Sequence, residues 1–156
     1  MKKWVLFSIF LGALPSGAIA TEHFSLGIGH YNNDAFYYTD KAYFDGFSMD
    51  LGAYSDLNSS HFLYLDAHLY STASQSVFAP ALVLYSGIGG VVMSANAFRD
   101  FHGSKEQVWG LRLPIGAEVL LDSGMSFFAE VVPTLFFASQ QEYETTAALG
   151  VRFYLY

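Results

Sequence analysis

Cysteine is absent from this chain, which rules out both a disulfide framework and a thiolate metal site. Proline is scarce, at 4 residues, and Asp, Glu, Lys and Arg together make up only 13%. Basic residues are the scarcer sign, 7 against 14 acidic, for a formal net charge of −7. No nucleic-acid partner is expected, because neutralising phosphates needs a cationic footprint. Beyond the N-terminus the chain also lacks any run near the roughly 18 consecutive apolar residues of a membrane helix. Hydrophobic residues nevertheless reach 53%. Membrane-level apolarity without a membrane helix points to a closed β-barrel. Helices and closed barrels are the structures that satisfy every backbone N–H and C=O within lipid.

Residues 1–20 read as a secretory signal. Lys2 and Lys3 form the basic start, Trp4 to Leu14 the apolar stretch, and Ala18-Ile19-Ala20 a small-residue cleavage site. Cleavage near Ala20 leaves residues 21–156 as one domain. Without Lys2 and Lys3, five basic residues face fourteen acidic ones.

Period-two alternation is clearest in the C-terminal half. From Leu111 to Leu121 the odd positions are apolar throughout, while the even ones include Arg112, Gly116 and Glu118. Met125 to Phe137 and Thr145 to Tyr156 repeat the pattern, the latter with Leu149, Val151, Phe153 and Leu155 against Gly150 and Arg152. Upstream, strands are expected over Phe24–Tyr31, about Phe47–Ala53, about Leu63–Tyr70 and Ala81–Ser94, with a short one around Asp34–Asp40. Asp122-Ser123-Gly124 is a tight turn and Ala95–Gln107 a longer loop; Ser55–Ser59 and Gln140–Glu144 are further outer loops.

The predicted fold is all-β, an eight-stranded antiparallel transmembrane up-and-down β-barrel. An inside-out pattern would describe a soluble, lipocalin-like barrel. The polar face decides between them, being rich in glycine with few charges, as suits a narrow lumen. Aromatics near strand ends, Trp109, Phe127, Phe128, Phe136, Phe137, Tyr143, Tyr154 and Tyr156, suggest lipid-interface girdles.

Gly110-Leu-Arg-Leu-Pro-Ile-Gly-Ala-Glu118, Phe128-Ala-Glu130-Val-Val-Pro133 and Gly150-Val-Arg-Phe-Tyr154 together resemble a family of small bacterial outer-membrane β-barrel proteins of the OmpA/OmpX type. The resemblance runs from about Phe44 to the C-terminus. It implies eight strands in the outer membrane, contact with membrane lipid and lipopolysaccharide, folding through periplasmic chaperones and the barrel-assembly machinery, and no established reaction. The chain departs from the family pattern by ending on Tyr156, one residue beyond Leu155.

Four charges fall on the inward sets of the last strands: Arg112, Glu118, Glu130 and Arg152. Two cations and two anions enclosed together should pair into an interior plug, because an isolated buried charge is costly. The alternative is an ion or proton path. Asp66 and His68 stand at i and i+2 on one face, an arrangement that serves either a general base or a buried hydrogen-bonded network. Ser60-His61 and His23-Phe24-Ser25 carry no recognisable motif.

Asn33-Asp34, Thr39-Asp40 and Tyr43-Phe-Asp45-Gly46 are faintly similar to the N-terminal segment of outer-membrane lipid A 3-O-deacylases. Asp34, Asp40 and Asp45 would then be the oxygen ligands for a hard cation. Phe98-Arg-Asp-Phe-His102 is a loop with aromatics beside charges, suited to an interfacial anchor or a contact with a partner. The reading adopted is a monomeric, non-enzymatic outer-membrane barrel without metal or cofactor, acting structurally or through its outer loops. A lipid A acyl hydrolase and a narrow conduit are the alternatives.

Overall fold

The computed structural model describes residues 23–31, 36–44, 46–55, 61–76, 79–94, 107–121, 123–137 and 141–155. The expected signal segment, Asn33, Asp34, Asp45, the Phe98–His102 loop and Tyr156 lie outside them. The described residues form β1 (His23–Tyr31), β2 (Phe36–Phe44), β3 (Phe47–Ser55), β4 (His61–Ser76), β5 (Ala79–Ser94), β6 (Gln107–Arg112), β7 (Ile115–Leu121), β8 (Met125–Phe137) and β9 (Gln141–Leu155). All pairings are antiparallel between neighbours, β6 and β7 each lying between β5 and β8, and β1 pairs with β9 to close the sheet.

β6 and β7 are two halves of one stave, so the closed barrel has eight. Pro114 has no N–H and interrupts the ladder between them. The register does not slip there: Arg112 pairs with Gly89 and Ile115 with Ser86. The Pro114 carbonyl still accepts from Gly87 N–H at 2.8 Å, and Leu113 N–H donates to the Pro133 carbonyl at 2.9 Å.

A single row of paired residues measures the stagger of the barrel. It leaves β8 at Met125 and passes through Phe153, Leu26, Asp40, Leu51 and Leu65. It continues through Gly90 and Leu111 and returns to β8 at Leu135, ten residues along. Closing eight staves with such a stagger tilts the strands by roughly 35–45°. All of these side chains face outward, and Asp40 is the one acid among them.

Side chains alternate strictly across the wall. Outward positions carry exposed apolar groups such as Ile28, Leu65, Trp109, Ile115, Leu149 and Phe153. Inward positions pack large side chains against glycines on the neighbouring strand. Tyr37 lies over its cross-strand partner Gly29, Tyr64 over Gly52, Tyr85 over Gly116 and Phe128 over Gly150. A Cβ on any of these glycines would overlap the ring beside it. The glycine-rich polar face is therefore the set of seats into which the lumen's large residues lean.

Three expectations are corrected by this geometry. The second strand is Phe36–Phe44, not the piece around Asp34–Asp40. Its register follows from pairing with β1 and from the turn at Gly46, whose φ is 82°. Its period is hard to read because both faces mix aromatics with charge: Tyr37, Lys41 and Tyr43 inward, Phe36, Tyr38 and Asp40 outward. β4 runs on to Ser76, beyond the expected end near Tyr70, and β9 starts at Gln141, inside the expected Gln140–Glu144 loop, whereas β5 (Ala79–Ser94) agrees with the expected strand. Phe128, Phe136 and Tyr154 are not girdle residues; the two phenylalanines are buried in the lumen and Tyr154 turns inward onto Glu118, while Trp109, Phe127, Phe137 and Tyr143 face outward.

Replacing Gly52 by Val drives two methyl groups into the Tyr64 ring and should lower the unfolding free energy by about 1–3 kcal/mol. Ala53→Val, on the outer face of the same strand, should leave it nearly unchanged. Urea midpoints of the refolded barrel in detergent measure both.

Candidate functional site

The strand alternation sends three cations, Lys41, Arg112 and Arg152, and four acids, Asp50, Asp66, Glu118 and Glu130, into the lumen, all of them buried. Charges withdrawn from water this completely persist only when they are paired and hydrogen-bonded.

Arg152 on β9 is the hub. One of its guanidinium nitrogens, Nη2, meets Asp50 of β3 at 2.6 Å; Nη1 lies 3.6 Å from Glu118 of β7. Lys41 of β2 reaches the same Glu118 at 3.2 Å. Glu118 also accepts from Ser126 at 2.5 Å, Tyr43 at 3.1 Å and Tyr154 at 3.0 Å. Thr39 donates to Asp50, and Tyr64 approaches it at 3.4 Å. The Arg152 guanidinium stacks 3.8 Å from the centre of the Phe128 ring. One cation thereby ties together strands from opposite sides of the barrel.

A second pair lies toward the loop end. Arg112 forks onto Asp66, its Nε 3.0 Å from one carboxylate oxygen and 3.1 Å from the other, and its guanidinium sits 4.0 Å over the Tyr64 ring. Glu130 differs from the other acids. Its carboxylate accepts from Tyr85 at 3.0 Å and Tyr37 at 3.5 Å, and no cation among the described residues pairs with it.

His68 is buried and stacks on Tyr85 at 4.8 Å between centroids, with neither ring nitrogen hydrogen-bonded. Lys41 covers the Tyr85 ring as well, at 4.3 Å.

Arg112, Glu118, Glu130 and Arg152 are thus all in the lumen, but they do not form one closed quartet. Arg152 and Glu118 meet; Arg112 turns to Asp66 and Glu130 to tyrosines. Asp66 is engaged by Arg112 and does not orient His68, so the pair has no general-base geometry. Asp40 lies on the outer wall, on the opposite face from the lumen carboxylates. Among the described residues no group of three or more His, Asp or Glu side chains could hold a metal ion.

Sequence reasoning missed Lys41 and Asp50 as members of the cluster. Asp50 alternates with the apolar Met49 and Leu51, which is the available signal. Lys41 lay beyond the expected end of the second strand.

Arg152→Met removes the cation from both Asp50 and Glu118 and should cost about 3–5 kcal/mol. Glu130→Gln strips no cation of its partner and keeps two acceptor or donor sites for the tyrosines, so its cost should be well below that of Glu118→Gln. Equilibrium urea unfolding followed by tryptophan fluorescence ranks the three.

No family model and no curated protein matches this chain. Two solved structures are similar to it in fold. One is the N-terminal β-barrel domain of Pseudomonas aeruginosa OprF, with a TM-score of 0.57 and 19% identity, covering 85% of this chain and 96% of that one. The other is a de novo designed transmembrane β-barrel, with a TM-score of 0.51 and 13% identity, covering 85% of this chain and 93% of that one. At these identities the likeness is one of fold: a closed eight-stranded antiparallel barrel of the transmembrane type.

Proposed function

We propose that this chain is a closed outer-membrane barrel, a lipid-embedded scaffold that presents its loops and neither conducts nor catalyses. The observation that carries this reading is the filled lumen. Arg152, Lys41 and Arg112 with their carboxylates occupy the middle of the barrel, and Tyr37, Tyr64, Phe62, Phe128 and Phe136 pack around them. An eight-stranded barrel is just wide enough for such side chains to fill. His68 and Asp66 are enclosed by the wall, out of reach of a lipid ester, which weighs against the hydrolase reading.

The connections support the orientation. Those after β1, β3, β5 and β8 gather at one end and include the longest, 95–106. The opposite end holds the short turns at Gly46 and Gly124. In outer-membrane barrels long loops face outward and short turns face the periplasm. Lipopolysaccharide and membrane lipid are then the standing contacts of the wall, and periplasmic chaperones and the barrel-assembly machinery are the partners in folding.

Two measurements on the intact protein test this reading. In planar bilayers the reconstituted barrel should add no stepwise conductance, and reproducible steps would make it a conduit. The mass spectrum of lipid A from cells with and without the protein should be the same; loss of an acyl chain that depends on His68 would make it a hydrolase.

A further inference from the structure

The outer wall carries an open depression. Across β7, β8, β9 and β1 runs a trough of about 390 Å³, walled by Ile115, Val131, Leu149 and His30 around Ala129 and Ala147. Its floor is the backbone where Glu130 pairs with Ala148, since both of those side chains turn into the lumen. The cause is local. Ala129 pairs with Leu149, and Val131 with Ala147, so the two alanines lie diagonally across adjoining strands. Ala117, paired with Ala129, extends the low ground onto β7. Farther along β8 and β9 the wall is built up by Phe127, Phe137 and Phe153.

The two ends of the trough differ. Toward the loop end, Thr145 follows Ala147 on the same face, and its hydroxyl donates to the Tyr143 hydroxyl at 3.1 Å. His30, tilted against Phe36 with centroids 4.5 Å apart, flanks the β1 side. Toward the turn end the outward residues are Phe127, Val151 and Ile28, all apolar.

We propose that this trough seats one acyl chain of a membrane lipid, whose polar end lies at Thr145, Tyr143 and His30. The proposal rests on the reading of the chain as a membrane-spanning barrel. The face is continuous with the apolar surface that lipid covers, so an acyl chain is the occupant already present there. The volume falls at the lower end of the 300–1,000 Å³ typical of ligand sites. A chain lying in the trough touches its backbone floor and also the flanking Ile115, Val131 and Leu149 side chains. The added close contacts are individually small and collectively large. Hydroxyls and an imidazole at one end alone give the lipid a direction, head toward the loops and tail toward the turns.

The test uses the refolded chain in phosphatidylethanolamine vesicles doped with a phosphatidylethanolamine that carries a diazirine on one acyl chain. After illumination, adducts should concentrate on peptides containing residues 129–131 and 147–149, several-fold above outward positions such as Leu51 and Leu65. Ala129→Leu with Ala147→Leu fills the trough and should bring this labelling down to the level of the rest of the wall. Ala67→Leu, set between Met49 and Ile88 on another part of the wall, should leave it unchanged. Uniform labelling of the wild type overturns the proposal, as does undiminished labelling of the double variant. So does a native mass spectrum in which a second copy of the chain occupies this face. A mobility difference between boiled and unboiled samples separates the two readings. If it persists with uniform labelling, only the lipid seat is lost; if it is absent, the barrel reading fails as well.

Discussion

A peptide group facing hydrocarbon without a hydrogen-bond partner costs several kcal/mol, and that constraint governs this molecule. An open sheet would expose two edges of such groups. Pairing β1 with β9 removes them, and every other feature follows from the ring that this pairing closes. With eight staves and a ten-residue stagger, the lumen is narrow, so inward side chains must share a small cross-section. The proline in the middle of the sixth stave is tolerated because its carbonyl still accepts from Gly87 and the register runs through unbroken.

The narrow lumen explains the pairing of glycines with large residues. Tyr37, Tyr64, Tyr85 and Phe128 fit because each leans over a strand neighbour that has no side chain. The same rule places charged groups: Arg152 lies against Gly27 and Asp66 against Gly89. Enclosed in this way, the charges have no water to turn to and satisfy one another across the barrel. Arg152 joins Asp50 to Glu118, and Lys41 joins β2 to β7 through the same glutamate. Such a network makes the barrel a cross-braced solid.

The outer wall obeys the opposite rule, with apolar groups at most positions. Small residues such as Ala42, Ala53, Ala67, Ser86 and Gly90 interrupt it, and two departures differ in kind. Asp40 puts a carboxyl on a row that is otherwise apolar, and Ala129 with Ala147 lowers the surface where neighbouring positions are built up. The first is a local cost without a partner among the described residues. The second is a shape, a low place between Ile115, Val131 and Leu149.

Much of this was legible in the residues alone. Alternation from Leu111 onward assigned each side chain to a face, and the oily composition without a membrane helix selected the closed barrel. Arg112, Glu118, Glu130 and Arg152 were placed inside by parity. Phe128 and Phe136 were also inward by parity, but aromatic type near a strand end suggested a girdle. Parity was the sounder guide, because alternation is built into the extended backbone of any strand and girdles are only a tendency.

The sequence by itself determined most of the strands, the face each of their residues takes, and hence a polar lumen within an apolar wall. Only the tertiary structure decided which charges meet. Arg152 reaches Asp50, 102 positions away in sequence, and Arg112 chooses Asp66 over Glu130. Those choices depend on the stagger with which eight strands close. That quantity belongs to the whole ring, so no local pattern of residues encodes it.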